Sequence, residues 1–339
     1  MKKLSEVGIW CKLLQVVMIC TEIIMLKDKI LNKKPGIIVY GITPPKKGTE
    51  QEKVKEISEK QIERIKDIDI DGLILYDIQD EEDRTTEERP FPFLETIDPQ
   101  MYGEKYLKKL NVPKIIYRCV GKYGEAEFSS WLKSDLDEDR FSVFVGASSK
   151  NQKVKLNLKD AYEVSRELNP KLYLGGVVIP ERHTKHNDEH LRIIKKIQNG
   201  CKFFVSQAVY NVEPAKNFLS DYYYYCKNNN VDMVPIIINL TPCGSIKTLD
   251  FMKWLGINIP KWLENDLMNS NDILQKSLDL SKSTFEELLD FGLEKGIPIG
   301  CSIESVSNRK VEIEASIQLT KEIKDMMDRK IRQNSKNIK

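Results

Sequence analysis

The chain has 339 residues, with 53 Lys plus Arg against 51 Asp plus Glu, a formal net charge of +2. That balance excludes a nucleic-acid binder driven by bulk positive charge. With 41% hydrophobic and 31% charged residues the chain is globular rather than disordered, and it is long enough for one barrel of about 250 residues plus extensions. Its seven cysteines include no C-x-x-C pair, which predicts reduced thiols in a cytoplasmic protein rather than a disulfide framework or zinc ribbon.

Residues 1–30 open with Lys2 and Lys3 before an apolar stretch, like a signal peptide. Lys12 and Glu22 interrupt it, and the uncharged run Leu13 to Thr21 is too short to span a bilayer. The expectation is an amphipathic helical extension covering one end of the domain, with no membrane association; a start of translation at Met25 is the alternative.

From residue 36 onward, short aliphatic or β-branched runs recur. They lie at 36–40, 72–76, 114–117, 141–145, 172–178, 202–205, 236–238 and 297–301. Each is nearly continuous in apolar character rather than alternating, as strands buried on both faces are, and this predicts a parallel sheet. Charged segments with helical spacing lie between them. Residues 50–67 space Val54, Ile57, Ile62 and Ile65 among Glu and Lys, with Thr49 as N-cap. Residues 187–199 place Leu191, Ile194 and Ile197 on one stripe, with Gly200 at the C′ position. Residues 158–168, 213–227, 283–295 and 310–331 read as helices too, and 332–339 as a disordered tail. Eight strand-then-helix units predict an α/β fold, a parallel eight-stranded (β/α)8 barrel over 31–331, with an insertion between strands 7 and 8. A doubly wound open sheet is the runner-up, but no strand is followed by G-x-G-x-x-G or a P-loop.

Chemistry in such a barrel sits at the C-terminal strand ends, and that rule selects the candidate residues. Glu181 and His183, in Pro180-Glu181-Arg182-His183, follow strand 5 and suit acid/base work or polar binding. Asp77 follows strand 2 and Glu304 follows strand 8; each is a candidate catalytic carboxylate, against the plainer reading of a loop or rim residue. Gln207 closes strand 6 with an amide able to meet a heterocycle's donor and acceptor edge together. All three histidines, His183, His186 and His190, fall within eight residues. His186 and His190 at i, i+4 invite a metal reading, but no H-E-x-x-H is present, and no metal is assigned.

The stretch from Val178 to Trp262 resembles the methylenetetrahydrofolate reductase family. It carries Pro-Glu-x-His after strand 5, then Lys196, Gly200, Phe204-Val205-Ser206-Gln207, the run from Pro235 to Pro242, and Ile259-Pro260-x-Trp262. Thr43-Pro44-Pro45 after strand 1 matches the family's Phe-Glu-Phe-Phe-Pro-Pro, and Asp83-Arg84-Thr85 its Asp-Arg-Thr after strand 2. The resemblance implies a (β/α)8 barrel that binds FAD and passes a hydride from NAD(P)H, through the flavin, to a folate substrate in one-carbon metabolism and methionine biosynthesis. It places His183 and Lys196 at the flavin's ribityl and phosphate part, Gly146 and Tyr76 also at the cofactor, and Gln207 with Tyr210 at the substrate. Self-association into a homo-oligomer stays open.

Two departures bear on that implication. The family's general acid is the Glu of Phe-Glu-Phe-Phe-Pro-Pro, and Gly41 stands there. The family's flavin-binding Leu-Arg-Gly-Asp after strand 4 is Phe144-Val145-Gly146-Ala147, and a second-strand Thr is Leu75. Three readings compete. The protein reduces a folate with Glu181, Asp77 or Glu304 as substitute acid; it binds a folate or pterin without flavin, for other one-carbon chemistry; or it is a silent relative that binds a partner.

Overall fold

The structure is a computed structural model and describes residues 25–80, 85, 88–134, 139–148 and 152–337. The expected helix over 1–24 and the Asp83-Arg84 match lie outside the described residues.

Eight strands form a closed, all-parallel barrel in chain order. They are β1 (Ile38–Ile42), β2 (Gly72–Leu75), β3 (Lys114–Cys119), β4 (Phe141–Val145), β5 (Tyr173–Val178), β6 (Phe203–Ala208), β7 (Ile236–Leu240) and β8 (Ile299–Glu304). β8 closes onto β1 with Ile38 opposite Cys301 and Gly41 opposite Glu304. Their near-continuous apolar runs are explained by a split of alternate residues. Val39, Ile74, Ile115, Val143, Phe203, Val205 and Ile237 fill the barrel interior. Ile38, Tyr40, Leu73, Leu75, Phe204, Ile236 and Ile238 belong to the cluster shared with the helices. Both faces are dry, so both sets must be apolar.

Helix α1 (Leu26–Leu31) buries Leu26 and Ile30 against the interior cluster and closes the barrel's N-terminal end. Lys29 holds it there through Asp71 and the carbonyl of Gly36, while Asp71 also accepts from the Ile38 N–H at 2.8 Å. This helix is the described part of the expected extension.

The outer shell follows as α2 (Gln51–Ile65), α3 (Pro99–Tyr106), α4 (Glu125–Lys133), α5 (Leu158–Leu168), α6 (Pro180–His186), α7 (Glu189–Gln198) and α8 (Val212–Asn229). The insertion between β7 and β8 folds as α9 (Ile246–Trp254) and α10 (Lys261–Met268), then joins α11 (Ile273–Lys295). The C-terminal helix α12 spans Lys310–Asn337.

Three local expectations are corrected. Thr49 does not cap α2: Glu50 holds that position, and the Thr49 hydroxyl donates to the Lys46 carbonyl. α11 begins ten residues before the expected 283, because Asp272 supplies an N-cap accepting from the Gln275 N–H. The expected disordered tail from 332 is helical to Asn337. Gly200 does occupy the C′ position of α7, with φ at +99°.

A glycine meets backbone closely where β8 meets β1. A Cβ on Gly300 would sit 2.6 Å from the Ile37 carbonyl oxygen and 3.1 Å from the Ile37 Cβ. Neither can yield without moving the strand, so Gly300→Ala is expected to destabilise the protein by about 1–3 kcal/mol. A lowered urea midpoint at unchanged m-value checks this.

Among the described residues no helix is long and apolar enough to cross a membrane.

Candidate functional site at the barrel mouth

A cavity of about 460 Å³ opens at the C-terminal ends of the strands. Its wall includes Tyr76, Tyr117, Gly146, Lys196, Gln207, Asn239 and Glu304. The insertion completes it. α9 and α10 pack through Leu249, Met252 and Leu263 over the ends of β6 and β7, and the turn between them brings Leu255 and Ile257 to the cavity.

The chemistry centres on Glu304, the last residue of β8. The Asn239 side-chain N–H donates to its Oε1 at 2.6 Å. Burial pushes the Glu304 carboxyl above its ordinary pKa, while hydrogen bonds from Asn239 and Tyr76 pull the other way. The net rise favours the protonated acid. Tyr76 and Tyr117 meet edge-on at 4.8 Å beside it. Burial first, and the Glu304 charge second, hold both phenols well above their usual range.

The residues around Gly41 account for the missing acid. Gly41 and Glu304 are register partners on adjacent strands. A Cβ on Gly41 would lie 2.7 Å from Tyr76 Cε2 and 3.0 Å from its hydroxyl. The space a longer side chain would take on β1 is filled by the Tyr76 ring. A carboxyl stands instead one strand over, on β8.

Asn239 Oδ1 is buried with no partner. An unpartnered buried acceptor on a cavity wall is a place for a ligand donor or ordered water. Gln207 donates from Nε2 to the Leu255 carbonyl at 3.0 Å, which ties β6 to the insertion. Arg182, Arg192 and Lys196 form a basic side of the cavity. Lys196 donates to the Val177 carbonyl, and burial lowers its pKa, with the Glu189 carboxylate opposing.

β4 ends on Val145, and Ala147 follows in the loop beyond it. The polar groups nearby engage one another: Gln79 donates to the Gly146 carbonyl at 3.1 Å, the Ser148 N–H donates to Gln152 Oε1 at 2.7 Å, and Gln152 donates to Gln79 Oε1 at 3.3 Å.

The structure therefore gathers Glu304, Tyr76, Gly146, Lys196 and Gln207 on one cavity wall and places the other four expected site residues elsewhere. Asp77 accepts from the Cys119 N–H at 2.8 Å, the Tyr123 hydroxyl at 2.9 Å and Lys122, and so clamps the ends of β2 and β3. Glu181 is buried in α6 away from the cavity lining, with both carboxylate oxygens unpartnered. His183 is turned to the outer shell, where Nε2 lies 3.0 Å from Asp221 Oδ2 on α8. Tyr210 packs under the insertion, donating to the Thr241 carbonyl. Strand-end position alone does not say which way a side chain points, and these four residues sit on the short helices or turns just past their strands.

The i, i+4 reading of His186 and His190 also fails. Asn187 adopts a left-handed conformation, φ 49°, which ends α6 before α7 begins. The two residues are on different helices. Asn239, Tyr117 and Arg192 line the cavity without having been singled out. Asn239 falls in a strand-end segment, but an uncharged amide there carries no distinguishing signal in a sequence.

A profile described as methylenetetrahydrofolate reductase matches residues 149–296. The solved structure of an uncharacterized protein from Clostridium thermocellum, described as binding two copies of 5-methyl-5,6,7,8-tetrahydrofolic acid, is 64% identical. The match covers 89% of this chain and 100% of that one, with a TM-score of 0.82. A xylanase from Paenibacillus barcinonensis aligns over 84% of this chain and 87% of its own at 8% identity and a TM-score of 0.44, too low to carry an argument. No curated protein matches the chain. The ordered motifs, the closed parallel barrel, the profile match and the full-length relative together establish that this chain belongs to the methylenetetrahydrofolate reductase family.

Proposed function

We propose that the protein binds a reduced folate at the barrel mouth, without a bound flavin, and that Glu304 is its proton donor to the pterin ring. The observation that carries this is the register pairing of Gly41 with Glu304, with Tyr76 packed over the glycine. The carboxyl that the family keeps on β1 is replaced by one on β8 whose pKa burial raises, which favours the form that donates a hydrogen bond or a proton. The unpartnered Asn239 Oδ1 is an acceptor for a pterin N–H beside it. Arg182, Arg192 and Lys196 suit the carboxylates of a folate's glutamate tail. The 64%-identical Clostridium thermocellum protein, described as binding 5-methyl-5,6,7,8-tetrahydrofolic acid, supports this ligand class.

The lining fits FAD poorly. Val145 and Ala147 offer an isoalloxazine no charged or hydrogen-bonding side chain, and the polar atoms of that loop are already joined through Gln79 and Gln152. His183, which the family resemblance assigned to the cofactor, faces Asp221 instead. No step is therefore assigned to a flavin or a nicotinamide nucleotide. Residual one-carbon chemistry, if the protein turns over a folate, runs on the acid at Glu304.

The test is the absorbance of the purified protein followed by titration with 5-methyltetrahydrofolate. The expected result is a colourless protein that FAD does not reconstitute and that binds the reduced folate. A yellow protein carrying stoichiometric FAD would overturn the flavin-free reading. Absence of folate binding would overturn the ligand class.

A further inference from the structure

Outside the barrel mouth, the junction of α6, α7 and α8 gathers an unusual set of side chains. His183 (α6), His190 (α7) and Asp221 (α8) each offer one ligand atom, all within 4.8 Å of one another. His183 is 2% exposed, and its Nε2 stands 3.0 Å from Asp221 Oδ2. The two imidazole rings meet edge-on, with centroids 5.4 Å apart.

The hydrogen bonding there is incomplete. His183 Nδ1 and His190 Nδ1 are buried without a partner, and so is Asp188 Oδ1 in the turn between α6 and α7. Buried polar atoms in native proteins are nearly all satisfied, and a local concentration of exceptions calls for an unseen water or ion. Two imidazoles and a carboxylate are a ligand set for a divalent transition metal. The Asp221 side chain is 53% exposed, so ions can enter from that side and a water can complete the shell.

We infer that His183, His190 and Asp221 form a binding site for one divalent transition-metal ion of the zinc class. Zinc–nitrogen distances of about 2.0–2.1 Å place tetrahedral ligands about 3.4 Å apart. His183 Nε2 and Asp221 Oδ2, 3.0 Å apart, are already near that range, and the His190 ligand atom lies within 4.8 Å of both. An ion there pins α6 and α7 to α8. The same two helices carry Arg182 and Arg192 to the folate cavity, so the ion holds the basic side of that cavity in place. The site itself does not depend on the folate reading.

The untagged full-length chain, stripped with a chelator, is titrated with Zn²⁺ and with Co²⁺. One ion per chain is expected, with a higher thermal midpoint and visible cobalt bands of a low-coordinate site. Asp221→Asn and His190→Gln are each expected to weaken binding by tenfold or more, while His186→Gln, the remaining histidine and an exposed one, leaves it unchanged. Asp221 is exposed enough that its variant retains the fold, which circular dichroism verifies. The proposal is overturned if the wild type binds no ion at micromolar concentration, or if Asp221→Asn and His190→Gln bind as it does.

Discussion

Reduced-folate affinity is expected to fall as pH rises through the elevated pKa of Glu304, and Glu304→Gln to flatten that dependence. The sign follows from which form binds. Burial favours the uncharged carboxyl, and only the uncharged form can donate to a pterin nitrogen. Glutamine keeps a donor and an acceptor of the same shape at every pH, and can still accept from Asn239. Glu304→Ala removes both and leaves Asn239 Nδ2 without its 2.6 Å partner. Its loss of affinity should reach about 2- to 10-fold, from the roughly 0.5–1.5 kcal/mol of a hydrogen bond between uncharged groups. If the protein turns over a folate, Glu304→Gln should lower the rate by about 10²–10⁴-fold while binding holds, as expected for loss of a general acid. Calorimetric titration across pH reads the first two effects. An unchanged pH profile in Glu304→Gln would remove Glu304 from its assigned role.

The largest stability effect is expected at Glu181, which the fold removes from the cavity. Its carboxyl is pushed up from 4.5 to about 7, chiefly by burial and further by the nearby Glu189 charge. A carboxyl whose folded pKa is raised contributes its full stability only below its unfolded pKa. That contribution is lost as pH rises through the folded value, here between about 4.5 and 7. At 1.36 kcal/mol per unit this loss is about 3 kcal/mol. Glu181→Gln should remove this part of the pH dependence, so the variant gains on the wild type as the solution becomes neutral. Urea unfolding at a series of pH values measures it. Parallel curves for the two proteins would show that the Glu181 carboxyl does not titrate in the folded state as its burial implies.

Much of the fold is legible without coordinates. Runs such as Ile236-Ile237-Ile238 are apolar at every position because one face fills the barrel and the other meets the helices, and no solvent-facing strand reads that way. The eight strands consequently lie where the sequence places them, and Gly200 ends its helix as expected. Helix starts are less legible. Thr49 and Glu50 compete for one cap, and only the backbone path decides between them.

The site was legible by position but not by direction. Glu304, Gln207, Gly146, Lys196 and Tyr76 converge on the mouth, as strand ends in a barrel do. Asp77, Glu181 and His183 carry equally suggestive side chains at equally suggestive positions, yet they point into clamps, helix packing and the outer shell. These three lie two to five residues past their strand ends, in turns or a helix start whose path sets the side chain's direction, and nothing local encodes the outcome.

By itself, the sequence determined the barrel, its strand order, its family and the loss of the β1 acid, because each rests on patterns within one segment or on motifs in order along the chain. The tertiary structure alone decided what replaces that acid. Gly41 and Glu304 are 263 residues apart in the chain and face each other only because β8 closes on β1. It also decided that His190 joins His183 and Asp221 rather than His186, because a left-handed Asn187 breaks the helix between them. Contacts of that separation come from closure of the sheet and packing of the helix shell, which local periodicity does not record.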